Sequence, residues 1–237
     1  KGKIMIGGIV MKKPISFILI LCMVLAMMPM MSITASAAAA TQVYVGGTDV
    51  ASGGAIFWVN DTATGGITSA GASSSTYNVK YELIAGTPTL TLKNANITTS
   101  GAITTNAAIY SDGNVDIVVE GNNTITTGNN NDANSYGICV WDNLNLKGSG
   151  SLSATGGAID NTSNYCSYGI FSTNTITVSS GITVEASGGV TARYAYGIGI
   201  CGGFTMNGGN VTARGGNSAN CSYGMETWGC IVNGGTL

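Results

Sequence analysis

The sequence predicts an all-β chain, a right-handed parallel β-helix of about five to six coils, and three observations predict it. A Tyr-Gly-Ile element recurs at a near-constant interval, each interval holds two further short alternating apolar runs, and glycine or asparagine stands at the joints. Units of this size cannot bury an apolar face alone and gain a continuous core only by stacking.

The anchor Ser135-Tyr136-Gly137-Ile138 recurs as Ser167-Tyr168-Gly169-Ile170, Ala195-Tyr196-Gly197-Ile198 and Ser222-Tyr223-Gly224-Met225, with a weaker first copy at Ala107-Ala108-Ile109-Tyr110. Positions 109, 138, 170, 198 and 225 are 29, 32, 28 and 27 residues apart. Ankyrin and leucine-rich repeats have similar periods. These units, however, hold no apolar run long enough for a helix and are rich in glycine and β-branched residues. The second run of each unit is Val115-Asp116-Ile117, Leu144-Asn145-Leu146, Ile176-Thr177-Val178, Phe204-Thr205-Met206 and Cys230-Ile231-Val232. The third is Leu152-Ser153-Ala154, Val184-Glu185-Ala186 and Val211-Thr212-Ala213, each closely followed by a glycine pair. Three short strands make one coil, period-2 alternation turns one residue set inward, and equivalent residues stack about 4.8 Å apart. A propeller or sandwich would need hairpin strands of more even length. Pro88 is the only proline beyond the leader, as unbroken pairing between coils requires.

In chain order, residues 1–10 precede Met11 and read as an upstream leader. Residues 11–37 read as a secretory signal: Lys12 and Lys13, an apolar stretch from Ile15 to Met31, then the small-residue cleavage pattern Ala35-Ser36-Ala37. A membrane anchor is the competing reading, disfavoured because no basic stop-transfer cluster follows. Residues 38–80 break the period and are expected to cap the stack. Residues 81–237 are the coils, opening over Tyr81 to Thr99 with a degenerate first strand. Leu237 falls midway through a coil, so a truncated end is expected, with further coils or a wall-attachment module beyond it.

Past the leader, five basic residues face all eleven acidic ones, an excess of six negative charges. No basic cluster is present for nucleic acid or anionic membranes. The mature chain is expected to be secreted, extracellular and monomeric. Its five cysteines (Cys139, Cys166, Cys201, Cys221 and Cys230) invite disulfides in an exported protein. Yet Cys166 and Cys221 are equivalent positions two coils apart, about 10 Å, too far for a bridge. Cys230 aligns with inward Phe204. Free, mostly packed thiols are expected.

The tyrosines at 136, 168, 196 and 223 form a column whose expected role is core packing. Tyr110, Phe171, Trp141 and Trp228 break the column pattern at outward positions or the corner after the first strand; they are the candidate sugar platforms. Asp112 and Asp142 take nearly matching corners, with Asp116 projecting from the next strand. Carboxylates and amide oxygens converging there would suit Ca²⁺; the same residues also suit corner backbone geometry. No catalytic residues are assigned. Histidine is absent, as are nucleophile-elbow, zinc-protease and phosphate-loop motifs. Lys93, Lys147, Arg193 and Arg214 are the only bases in the coils.

The Tyr-Gly-Ile anchors, the run Leu90-Thr91-Leu92-Lys93-Asn94-Ala95 and the Val-x-Ala-x-Gly-Gly ends resemble the secreted carbohydrate-binding domain-containing proteins of anaerobic Gram-positive bacteria, which are pectate-lyase-like in fold. The resemblance spans Thr41 to Leu237. It implies a β-helix that binds plant-type polysaccharides, with bound Ca²⁺ and no requirement for catalysis. A polysaccharide-binding module is therefore the leading expectation, with a pectate-type lyase and a structural surface adhesin as alternatives.

Overall fold

Three short strands per repeat close into a parallel β-solenoid of about five turns. The computed structural model describes residues 40–100, 105–130, 132–159, 164–191, 193–218 and 220–237. The leader and signal segments fall outside the described residues. Among the described residues none is helical, and no helix is long and apolar enough to cross a membrane.

The tyrosine face stacks Ala107–Ser111, Ser135–Val140, Cys166–Ser172, Tyr194–Ile200 and Cys221–Glu226, which define coils 1 to 5. The second face carries Thr87–Lys93, Val115–Glu120, Leu144–Gly148, Ile176–Val178, the first half of Gly203–Arg214, and Gly229–Thr236. The third carries Asn96–Thr99, Asn122–Thr127, Ser151–Thr155, Thr183–Ser187 and the second half of Gly203–Arg214. The expected register holds along the stack. Ile109, Ile138, Ile170, Ile198 and Met225 pair in sequence, as do Val115, Leu144, Ile176, Phe204 and Cys230. Except for Cys230, which is exposed, and Met225, which packs on its edge, these side chains belong to one continuous core.

Close approach explains the recurring motifs. A Cβ on Gly169 would lie 2.7 Å from the Gly197 carbonyl oxygen and 2.9 Å from that of Ala154, so this position admits only glycine. Because that glycine already faces the third strand inside the coil, the alternation slips by one. Ile170 points inward and Tyr168, two residues earlier, points outward. The serine before the tyrosine ties the coil's ends together. Ser135 Oγ accepts from Gly157 N (2.8 Å), while Ser167 Oγ donates to Gly157 O and accepts from Gly189 N, both at 2.8 Å. Buried Asn123 serves a second joint, accepting from Ala95 N at 2.8 Å and donating to Glu120 O and Ser151 O.

The N-terminal region departs from expectation in one detail. Tyr81 belongs to Val79–Ile84, which forms an antiparallel hairpin with Thr87–Lys93. The irregular region thus runs four residues past its expected boundary. Its turn, Ala85-Gly86, has positive φ at both residues (49° and 82°), the geometry that suits a two-residue hairpin. Alanine hid this turn from sequence reasoning, because non-glycine residues seldom adopt that conformation. The missing first strand of that turn is replaced by Val43–Val45, which pairs antiparallel with Ala107–Ser111.

Gly169→Ala is expected to destabilise the protein by about 1–3 kcal/mol through overpacking. Gly229→Ala, where an added Cβ meets nothing within 4 Å, is the matched control. Equal denaturation midpoints for the two variants would refute the close-approach explanation. Ile138→Ala, in the fully buried ladder, should cost about 2–5 kcal/mol in the same assay.

Candidate functional site

The tyrosine column is a stack on the outside of its sheet. Rings of Tyr136 and Tyr168 are 5.2 Å apart at 12°, Tyr168 and Tyr196 4.7 Å at 5°, and Tyr196 and Tyr223 5.2 Å at 12°. The packing expectation holds, but the rings pack on each other and not within the apolar core. Phe171 wedges against this stack, 5.4 Å from Tyr136 and 5.0 Å from Tyr168. It is half-buried and serves the ladder.

Below the stack, between coils 1 and 2, an open groove of about 420 Å³ runs along the strands. Its aromatic walls are Tyr110, Tyr136, Trp141 and Tyr165, its floor includes Cys139, and Asn106 and Asn134 supply amides. The structure therefore brings Tyr110 and Trp141 together, as two of the four nominated aromatics. Trp228 stands alone at the coil 5 corner, 90% exposed, against 55% for Trp141. Sequence reasoning missed Tyr136, Tyr165, Asn106 and Asn134. In the sequence Tyr136 reads as one more ladder tyrosine, and Asn106, Asn134 and Tyr165 as residues of the joints before the first strand.

The groove is electrically quiet. None of its described lining residues is an Asp, Glu, Lys or Arg. Asn134 donates from Nδ2 to the Tyr136 hydroxyl (3.0 Å) and accepts from Cys166 N (2.8 Å), which fixes its amide. Burial pushes the Tyr136 phenol up to about 12, with that hydrogen bond opposing, so it stays protonated at neutral pH. Burial likewise pushes the Cys139 thiol up to about 12. A second cavity, about 370 Å³, lies between Val211, Met225 and Leu237. It is bounded by last-coil residues that no further described strand covers.

The carboxylates do not converge. Asp112 accepts from Thr41 N (2.8 Å), Thr41 Oγ1 (2.6 Å) and Gln42 N (2.9 Å), clamping the chain that leads into Val43–Val45. Burial acts to raise its pKa, but these hydrogen bonds prevail and hold it below the ordinary value of 3.8. Asp116 accepts from Asn145 Nδ2 (2.7 Å) and pairs with Lys147 at 2.6 Å. Asp142 accepts from Asn143 Nδ2 (3.0 Å) and Asn174 Nδ2 (3.1 Å). Among the described residues no group of three His, Cys, Asp or Glu side chains is placed to hold a metal. Each carboxylate at this corner is thus engaged by backbone and side-chain donors, as a strand clamp, an ion pair or a rung of an amide ladder.

All five cysteines are free thiols, but only Cys139 and Cys166 are buried; Cys201, Cys221 and Cys230 are exposed. This corrects the expectation of mostly packed thiols. Cys230 does sit in register with Phe204, but no described strand covers it from beyond. Comparisons with protein-family models, curated proteins and solved structures found no match for this chain.

Two predictions follow from these environments. A thiol reagent at neutral pH should modify Cys201, Cys221 and Cys230 quickly and Cys139 only on unfolding; rapid Cys139 labelling in a peptide map would contradict its burial. Asp112→Asn should lower the thermal midpoint at pH 7. Because the native pKa is depressed, the parent's advantage is present above pH 3.8 and disappears as pH falls through the native value. A midpoint difference that persists unchanged in strong acid would exclude the clamp.

Proposed function

We propose that this protein is a non-catalytic glycan-binding module and that the groove between coils 1 and 2 holds the saccharide. The observation that carries this reading is an open, uncharged, aromatic-walled groove with fixed amides beside it. One face of a pyranose ring presents C–H groups that pack on an aromatic face, and its hydroxyls match amide donors and acceptors. The acidic excess and the signal-like segment agree with a role outside the cell on an uncharged polymer. The family resemblance points the same way.

A lyase would need a base beside the acidic corner. Lys147 is the described base at that corner, where Asp116 engages its ammonium, and Arg193 donates to Asn164 O (2.9 Å) beside the Tyr194 ring. The groove itself offers no carboxylate, so binding there requires no cation.

Affinity electrophoresis of the purified protein against a panel of polysaccharides, with Ca²⁺ and with chelator, tests the proposal. Selective retardation that survives chelator is expected. Trp141→Ala and Tyr110→Ala should each weaken it about tenfold, the scale of one lost stacking contact. Trp228→Ala should not. If the folded protein is retarded by no glycan, the reading fails and a structural adhesin becomes the better account.

A further inference from the structure

Backbone N–H groups orient the two amides at the polar end of the groove. Buried Asn130 accepts from Asp132 N at Oδ1 (3.0 Å), so its Nδ2 is the atom that donates to Asn106 Oδ1 (2.6 Å). Asn134 Oδ1 accepts from Cys166 N (2.8 Å). The main-chain carbonyl of Asn106 accepts from Tyr136 N (3.0 Å), which sets the two amides on adjoining segments of coils 1 and 2. Both side-chain oxygens are thereby engaged within the protein, and the amide nitrogens are left to serve the groove that these residues line. An amide nitrogen carries two protons. Asn134 gives one to the Tyr136 hydroxyl oxygen (3.0 Å). Among the described residues no acceptor meets the Tyr136 hydroxyl proton or the Asn106 Nδ2 protons.

This end of the groove is therefore a cluster of donors without a carboxylate among them. A sugar hydroxyl placed there finds partners for its lone pairs and none for its own proton, which is costly where water is excluded. An amide carbonyl accepts through two lone pairs and has no proton to leave unpaired. Ala133 and the Tyr165 ring add apolar surface beside the amides. We propose that the groove selects a sugar bearing an acetamido group, an N-acetylhexosamine within a neutral glycan. The acetamido oxygen accepts from Asn106 and Asn134 Nδ2, and its methyl group packs on Ala133 and Tyr165. This rests on the glycan-binding reading and narrows it to a ligand class. Asn134 and Trp141 are seven residues apart, roughly 23 Å at strand rise, so Trp141 stacks on a neighbouring sugar of the same chain.

Calorimetric titration of the protein with chitotriose and with cellotriose tests this, because the two share one backbone and differ in an acetamido group against a hydroxyl. Chitotriose should bind about tenfold more tightly, the scale of one or two net hydrogen bonds. Asn106→Asp and Asn134→Asp each keep the accepting oxygen and remove the donor protons. Aspartate also tolerates the positive φ of Asn106 (52°). Each variant, its fold verified by circular dichroism, should lose about tenfold for chitotriose and stay within about twofold for cellotriose. Equal weakening of both ligands would mark a merely structural role and overturn the acetamido contact. Equal affinity of the parent for the two trisaccharides, or undiminished chitotriose binding by both folded variants, also overturns it while leaving glycan binding standing. Should neither variant fold, the ligand pair on the parent decides alone. Chitobiose against the N-acetylglucosamine–N-acetylmuramic acid disaccharide separates the two sources of this chemistry. Tighter binding of the first supports the site with chitin as its polymer, and of the second with bacterial wall. Absence of any glycan binding by the parent removes both readings.

Discussion

Within the stack, each strand completes its backbone hydrogen bonds by lying flat on the equivalent strand of the neighbouring coil. Everything inside the stack is subordinate to that spacing. The Gly of Tyr-Gly-Ile and the glycine pairs at the ends of the third strands stand where a Cβ would strike the backbone of an adjacent coil. The serines that precede the tyrosines bind those same glycine segments, so the corner where a coil closes is held by hydroxyl-to-backbone bonds. The interior varies among apolar residues that fill the same layer, as Ile, Val, Leu, Phe and Met do here.

Variation is therefore displaced to the outer positions. Four tyrosines in register build a self-packed ladder whose ring faces are mostly consumed by one another. The groove lies beside the first of them, among Tyr110, Tyr136, Trp141 and Tyr165, where the outer side chains of neighbouring coils do not repeat. Its uncharged lining matches the sparse charge of the chain beyond residue 40.

The acidic residues illustrate the opposite outcome. Asp112 and Asp142 share a corner in the sequence repeat, and that placement suggested a cation. In the structure each carboxylate is committed to a neighbour that repeat alignment does not reveal. Thr41 and Gln42 reach Asp112 from 71 and 70 residues away, and Lys147 reaches Asp116 from the adjacent coil. Carboxylates so engaged join the N-terminal strand to the stack and tie one coil to the next.

Repeat spacing and period-2 alternation in the sequence alone determined the solenoid, its three faces, the inward ladders and their register. They did so because stacked coils must place equivalent residues on equivalent positions. The substitution of alanine for the first tyrosine was equally legible, and so were Tyr110 and Trp141 as outward aromatics. Tertiary structure alone decided three matters. The glycine's close approach reversed the facing of the tyrosines. Val43–Val45 came antiparallel onto coil 1, through contacts far apart in sequence. The approach of Tyr165 and the asparagines at the joints to Tyr110 and Trp141 made a groove from residues scattered over the repeats. Each depends on distances between coils, which a linear pattern of residue types does not contain.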